Sequence, residues 1–370
     1  MTDIPTPIYF SRTSAEKDEY CKRAGYYLSV FGERGIVPAV SGWDLVFGNI
    51  CHAAVEQLAT IGSIDYAAVR AKTLAEASKV HNPLPAEAYT ALAEGLLRGF
   101  ALTIWPRLMQ EYDVYQTEQD CAWEIEPGVW FLFRQDLVLR NKFSGSLTYY
   151  EYKTTSTTSA DWIASWNKSI QLHSSMYAIR EHLGTQIDYA IVQGLYKGYK
   201  DKKTGVMVSP MTKGWVNRQL AMTPEYSYEY QRARGWEGFS TFQEFPDLKS
   251  WVNNMPPEKL SEQFPQTAPI TPRDDIAKKF FRQQLIREKE VLEVKQRLQQ
   301  STDLDEITYL LDKHFKQNFT KCQPAYGGWP CEYREICWQG WVEADPLGSG
   351  LFVPRYPHHQ AEAKALGLEP

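Results

Sequence analysis

Apolar residues recur with two different periods along this chain. In its N-terminal third they follow helical spacing, as at Tyr20, Ala24 and Tyr27. This spacing predicts helices over 14–31, over 44–59 and, with a proline-containing break at 82–85, over 66–109. We therefore expect the N-terminal third to be helical.

The pattern changes to that of β-strands at about residue 115. Runs of apolar, aromatic and β-branched residues predict strands that are separated by turn sequences such as Pro127-Gly128. The predicted elements are strands over 121–126, 129–140 and 147–154, a helix over 161–182 and a strand over 189–196. This order is typical of an α/β fold in which helices cover a mixed sheet.

The rest of the chain is less regular. A hairpin is predicted around 201–205, a proline-rich connection follows, and a long charged helix is expected over 274–300. We expect five segments: N-terminal helices over 1–60, a helical insertion over 61–115, a core of sheet and helix over 116–222, a helical and cysteine-rich segment over 223–345, and a tail over 346–370. The tail is predicted to be poorly structured.

Composition and charge narrow the class of protein. The chain has 370 residues, 43% of them hydrophobic, which is enough for a large core. Its formal net charge of −5 provides no global positive field for nucleic acid. A local basic groove remains compatible with an acidic remainder. The first residues lack the layout of a signal peptide and no apolar run is long enough to span a membrane, so we expect a cytoplasmic protein without a membrane partner.

Two acids and a lysine are the strongest candidates for chemistry. Asp136 lies in one predicted strand, and Glu151 and Lys153 lie two residues apart in the next, so both point to the same face. Two carboxylates that converge there suit Mg²⁺ or Mn²⁺, which lowers the pKa of a bound water. Lys153 can orient that water or offset charge that develops on a phosphate. Hydrolysis of a phosphodiester requires such groups. The alternative interpretation of these three residues is a solvated strand face without catalytic function.

These residues resemble the signature of a known nuclease family. Asp136 followed by Glu151, any residue and Lys153 resembles the motif of PD-(D/E)XK nucleases, and His52 resembles the metal-binding histidine of the RecB-like members. Phe133 departs from the pattern, because the family often has glycine three residues before the aspartate.

A second motif supports this resemblance. Gln171 and Tyr177, on the predicted helix after the strands, resemble the helix motif that lies next to the active site in this family. The resemblance implies that His52, Asp136 and Glu151 hold a metal ion and that Lys153 assists the water. Gln171 and Tyr177 would support the site or contact the substrate.

The cysteines suggest a second metal centre. Without an export signal they are expected to be reduced, so clustered cysteines are candidate ligands. One cysteine early in the chain and three late resembles the iron–sulfur members of the family, which act in CRISPR adaptation and DNA-end processing. That resemblance implies a 4Fe–4S cluster, with Zn²⁺ as the alternative. The candidate ligands are Cys21, Cys322, Cys331 and Cys337, whereas Cys51 and Cys121 are expected to be ordinary buried thiols.

A predicted hairpin is the candidate surface for nucleic acid. It interleaves cations with aromatic rings, as surfaces for single strands do. The alternative is a hairpin whose lysines serve solubility. The candidate residues are Lys197, Tyr199, Lys200, Lys202, Lys203, Lys213 and Trp215.

By resemblance, the expected activity is metal-dependent cleavage of DNA. An exonuclease that acts on DNA ends in recombination, repair or replication is the family's commonest role, with DNA that is single-stranded or has free ends as substrate. Recombination or replication proteins are the expected partners. Two alternatives stay open: a nucleic-acid-binding protein with a silent nuclease fold, and a zinc-stabilised interaction module.

Overall fold

A computed structural model describes most of the chain. The described residues are 7–40, 42–77, 86–117, 119–184, 186–197, 199–200, 207–208, 261, 263–322 and 331–368. Within them, no helix combines the length and the apolar character needed to cross a membrane.

The N-terminal part is mainly helical, as predicted. Its elements are β1 (Ile8–Ser11), α1 (Arg12–Tyr20), α2 (Lys22–Ser29), β2 (Ile36–Pro38), α3 (Trp43–Ile61), α4 (Tyr66–Ala77), α5 (Ala86–Gly99) and α6 (Trp105–Glu111). The single helix predicted over 14–31 is instead divided in two. Cys21 adopts an extended conformation between α1 and α2, with φ −160° and ψ 114°.

Two sheets form the centre of the molecule. Their strands are β3 (Tyr112–Gln116), β4 (Gln119–Glu126), β5 (Val129–Gln135), β6 (Leu137–Asn141), β7 (Leu147–Thr155) and β8 (Tyr189–Tyr196). One sheet has the order β1-β5-β4 and the other β3-β6-β7-β8. In the second sheet β6 and β7 are antiparallel, whereas β7 and β8 are parallel. The α/β prediction with a mixed sheet is confirmed.

The strand predicted over 129–140 is broken at Asp136. The chain leaves one sheet at the end of β5 and enters the other at the start of β6. Three polar residues, Arg134-Gln135-Asp136, interrupt the apolar run at this point, and the prediction of one strand passed over them. The residues on both sides of Asp136 are buried. Asp136 therefore stands at the junction of the two sheets.

Helices cover both faces of the four-stranded sheet. After β7 come α7 (Ala160–Ser165) and α8 (Ile170–Leu183). Tyr150 and Tyr152 of β7 share a core with α3, whereas Tyr149 shares the other core with α8 and with α9 (Asp274–Gln300). This alternation is what a strand buried on both faces requires.

Caps fix both ends of α8. The Ser169 hydroxyl accepts from the Leu172 amide at 3.3 Å, and the helix ends at Gly184, whose φ of 63° is left-handed. A serine cap and a left-handed glycine are common helix boundary signals. They place Gln171 in the first turn of the helix.

The C-terminal segment packs against the N-terminal helices. After short strands β9 (Tyr199–Lys200) and β10 (Met207–Val208) and helix α9, its elements are α10 (Leu304–His314), α11 (Phe319–Cys322), α12 (Arg334–Trp338), α13 (Gly340–Ala344), β11 (Phe352–Pro354) and α14 (Gln360–Ala365). The prediction of a poorly structured tail over 346–370 was wrong. β11 pairs with β2, and Asp120 of β4 accepts from the Gln360 amide at 2.6 Å.

Candidate active site

Asp136 is held by contacts from two elements. Asp136 is 5% exposed, and its Oδ2 accepts from the Tyr152 backbone amide at 3.0 Å. Its Oδ1 lies 3.2 Å from Nδ1 of His52. The junction between the sheets thus presents this carboxylate to His52 of α3.

His52 and Asp136 stabilise each other's charged forms. Burial by itself would lower the pKa of His52, but the attraction of Asp136 and their hydrogen bond raise it. Burial would raise the pKa of Asp136, but His52, and after it Lys153, lower it. The His52 ring also lies against the ring of Tyr152, with centroids 4.5 Å apart. This combination of charge and packing fixes the imidazole at the sheet junction.

Glu151 is the most enclosed acid of the site. Glu151 is 2% exposed. Its Oε1 accepts from Nε2 of Gln171 at 2.7 Å and also pairs with Nζ of Lys153. Burial would lower the pKa of Lys153, but Glu151 and then Asp136 raise it. A buried carboxylate needs such partners, because without them its burial is costly.

Tyr149 also contacts this carboxylate, and sequence reasoning missed it. Its hydroxyl donates to Oε2 of Glu151. Burial, followed by the negative charges of Glu151 and Asp136, raises the pKa of Tyr149 well above 10, so the phenol remains a donor. The two-residue spacing that relates Glu151 to Lys153 also relates Tyr149 to Glu151, and this was the available signal.

Tyr177 lies apart from the carboxylates. Its ring contacts those of Trp123 and Phe281, with centroids 5.7 Å and 5.8 Å away, and Arg180 lies over it. None of its contacts among the described residues reaches Asp136 or Glu151. The predicted catalytic role of Tyr177 therefore stays a prediction, whereas its packing role is visible.

The candidate nucleic-acid hairpin falls mainly outside the described residues. Lys197 is described and is 6% exposed, with its ammonium paired to Asp44. That placement does not present the lysine on a surface. Tyr199 and Lys200 form a short strand with Met207 and Val208. The remaining candidates, Lys202, Lys203, Lys213 and Trp215, lie outside the described residues.

A groove opens beside Gln171. It has a volume of about 390 Å³. Its lining includes Trp166, Lys168 and Gln171 together with Glu16 and Glu19 of α1. Because Gln171 lines this groove and also donates to Glu151, the groove lies next to the candidate active site.

The donor types at the sheet junction fit a hard divalent cation. Mg²⁺ and Mn²⁺ prefer carboxylate oxygens, and an imidazole is compatible with Mn²⁺. Asp136 and Glu151 supply two carboxylates, and His52 supplies the imidazole. As placed, these groups pair with one another or with Lys153, and no three His, Cys, Asp or Glu side chains in the described ranges have the spacing of a bound metal.

The four candidate cluster cysteines are near one another. All four are free, and Cys21 and Cys322 are buried. Burial raises the pKa of Cys337 to about 12, and the negative charges of Cys322, Cys331 and Cys21 add to this effect. The extended conformation at Cys21 turns its sulfur to the late segment, where it accepts from the Asn318 amide at 3.3 Å. The spacing of a metal site is absent here too, within the described residues.

The arrangement of acids, lysine and helix motif agrees with a comparison at the level of families. The sequence model of the PD-(D/E)XK nuclease superfamily matches residues 9–338. No curated protein matches the chain. Superfamily members are typically metal-dependent nucleases and generally use Mg²⁺ or Mn²⁺. Because the match covers most of the sequence and both sheets, the chain belongs to the PD-(D/E)XK nuclease superfamily.

Proposed function

We propose that this protein is a metal-dependent DNA exonuclease that acts on DNA ends in recombination, repair or replication. The observation that carries the proposal is the convergence of Asp136 and Glu151, with His52 and Lys153 beside them. The superfamily supports a nuclease. The preference for DNA ends, and the partnership with recombination or replication proteins, rest on the resemblance to RecB-like members.

In this proposal His52, Asp136 and Glu151 hold Mg²⁺ or Mn²⁺. When bound, the cation supplies Lewis-acid stabilisation of the phosphate and acidifies a water molecule. The side chain of Lys153 is 28% exposed, and its ammonium contacts Glu151. It would orient the attacking water or offset the charge that develops on the phosphate.

The groove beside Gln171 supports a polymeric substrate. Trp166 offers a ring on which a base can stack, and Lys168 offers a cation for a phosphate. Glu16 and Glu19 also line the groove and disfavour phosphates beside them, so the strand would follow Trp166 and Lys168. The hairpin that carries Tyr199, Lys200, Lys202, Lys203, Lys213 and Trp215 stays a proposed contact for the remainder of the DNA.

We further propose that Cys21, Cys322, Cys331 and Cys337 hold a 4Fe–4S cluster, with Zn²⁺ as the rival ion. Support comes from the proximity of four free thiols contributed by the early and late parts of the chain. Four thiolates suit either metal centre. The cluster would be structural and would join the N-terminal helices to the C-terminal segment.

The nuclease proposal is tested with end-labelled DNA and Mn²⁺. Wild-type protein should cut from the ends, and Glu151→Gln should remove cutting while keeping the volume of the side chain. If the protein also cuts closed circular DNA, which has no ends, it is an endonuclease and the exonuclease proposal is wrong. Metal-dependent DNA binding without cutting would favour a silent nuclease fold.

Anaerobic purification tests the cluster separately. A brown protein with iron and sulfide, both of which are lost in Cys331→Ser, is expected. Ser is the matched change because it keeps the shape of the side chain. A colourless protein that contains zinc and still cuts DNA would retain the nuclease and overturn the iron–sulfur proposal.

A further inference from the structure

Tyr149, Glu151 and Lys153 lie in a row on one face of β7. They lie two residues apart, so their side chains project in the same direction. β7 is a central strand, and Tyr149 pairs in register with Val138 of β6 and Ala190 of β8. Neither the superfamily signature nor the helix motif includes Tyr149.

The donors around Glu151 are divided between its two oxygens. Oε1 accepts from Gln171 and pairs with Lys153, whereas Oε2 accepts from the hydroxyl of Tyr149. The last torsion of a glutamate is broad, so one contact alone leaves the carboxylate free to rotate. Donors on opposite sides remove that freedom.

The remainder of the Tyr149 side chain is embedded in the core. The residue is 1% exposed and belongs to the cluster that includes Leu172 and Met176 of α8. The ring is therefore held by packing, and its hydroxyl has a fixed position relative to β7. Such second contacts are what set the orientation of a metal-binding side chain.

We propose that Tyr149 is a positioning residue for the phosphodiester hydrolysis, one whose hydroxyl fixes the orientation of the Glu151 carboxylate. This inference rests on the proposed function, since it assigns a role within the same site. Tyr149 acts through Glu151 and contacts no reacting atom. Loss of the hydroxyl should weaken the binding of the cation, reduce turnover, or do both.

The chain provides a matched control in the adjacent residue. Tyr150 is also on β7 and is 0% exposed, but it faces the opposite core and its hydroxyl donates to Oε1 of Gln193 at 2.9 Å. Tyr149→Phe and Tyr150→Phe each remove one buried hydroxyl from the same strand. Only the first removes a donor to the candidate active site.

The test combines three measurements on both variants: thermal unfolding, calorimetric Mn²⁺ binding without DNA, and Mn²⁺-dependent cutting. Both variants should unfold at similar temperatures. Tyr149→Phe should lower kcat, or raise the half-saturating Mn²⁺ concentration, about 10- to 100-fold, which is the usual effect of losing such a partner. Tyr150→Phe should stay within about two-fold of the wild type.

Wild-type turnover and Mn²⁺ affinity in Tyr149→Phe would overturn the inference, as would equal losses in Tyr150→Phe. If wild-type protein cuts no DNA, the proposed function fails, and the calorimetric Mn²⁺ affinities of the two variants still decide the role of Tyr149. If Tyr149→Phe does not fold, Tyr149→Met with a preserved fold provides the same comparison.

Discussion

Replacing Gln171 by methionine removes one hydrogen bond from Glu151 and keeps the length of the side chain. The bond joins Nε2 of Gln171 to Oε1 of Glu151 over 2.7 Å. A hydrogen bond to a charged group contributes about 1.5–3 kcal/mol. Its complete loss in the transition state corresponds to a rate about 10- to 160-fold lower, because about 1.36 kcal/mol equals a factor of ten.

The expected loss lies in the lower part of that range, since Glu151 keeps its contacts with Tyr149 and Lys153. We expect Gln171→Met to cut end-labelled DNA about 10- to 30-fold more slowly in single-turnover reactions at saturating Mn²⁺. The melting temperature should fall only modestly, because the buried Glu151 keeps its contacts with Tyr149 and Lys153.

Gln186→Met is the matched control. Its amide donates to the Ile187 carbonyl at 3.1 Å, after the end of α8, and should have no effect on cutting. A Gln171→Met protein within three-fold of the wild type would refute the argument that Gln171 orients Glu151. An equal loss in the Gln186 variant would show that the helix, and not the hydrogen bond, was affected.

Three further predictions concern charge and stability. Lys153→Met should lower turnover at least about 100-fold while Mn²⁺ still binds in calorimetry, and retained cutting would contradict the role of the ammonium. Arg287 holds the Asp18 carboxylate with two hydrogen bonds of 3.0 and 2.9 Å, so Arg287→Met should reduce the free energy of unfolding in urea by about 2–4 kcal/mol. Adding Asp18→Asn to that variant should reduce the free energy of unfolding by little more. Additive losses would argue that Asp18 and Arg287 are not coupled. Burial, and after it the charge of Asp18, raises the pKa of Glu288 to about 8. The unfolded chain releases this proton at a lower pH than the folded protein does. The free energy of unfolding should therefore fall as the pH rises to about 8. Between pH 5 and pH 9 the free energy of unfolding of Glu288→Gln should fall by about 2–4 kcal/mol less than that of the wild type. If urea unfolding gives parallel pH profiles for the two proteins, Glu288 is not the cause of the pH dependence.

The sequence predicted the part of the site that depends on local spacing. Glu151 and Lys153 share a face because strands have a period of two, and the same rule would have identified Tyr149. Gln171 was identified by the resemblance to the family's helix motif, and the caps of α8 place it in the first turn of that helix. These features depend on neighbours within a few residues.

Features that depend on distant contacts were predicted less well. The polar run Arg134-Gln135-Asp136 interrupts the apolar pattern at the break, but it does not show that the chain passes there from one sheet to the other. The extended conformation of Cys21 accompanies its contact with Asn318, far along the chain. β11 contains only Phe352–Pro354, too short for a recognisable strand pattern, and it is defined by pairing with β2.

The pairing of β2 with the late part of the chain has a consequence for how the protein is made. The Tyr333 hydroxyl donates to the Ile36 carbonyl, and these two residues are 297 positions apart. At about 5–20 residues per second, a ribosome needs about 15–60 s to cover that distance. During this interval the newly synthesised α1 and α2 lack their final packing partners. Folding of the first helices is therefore expected to finish only after the residues around Tyr333 have been synthesised, and until then their apolar faces are open to chaperones.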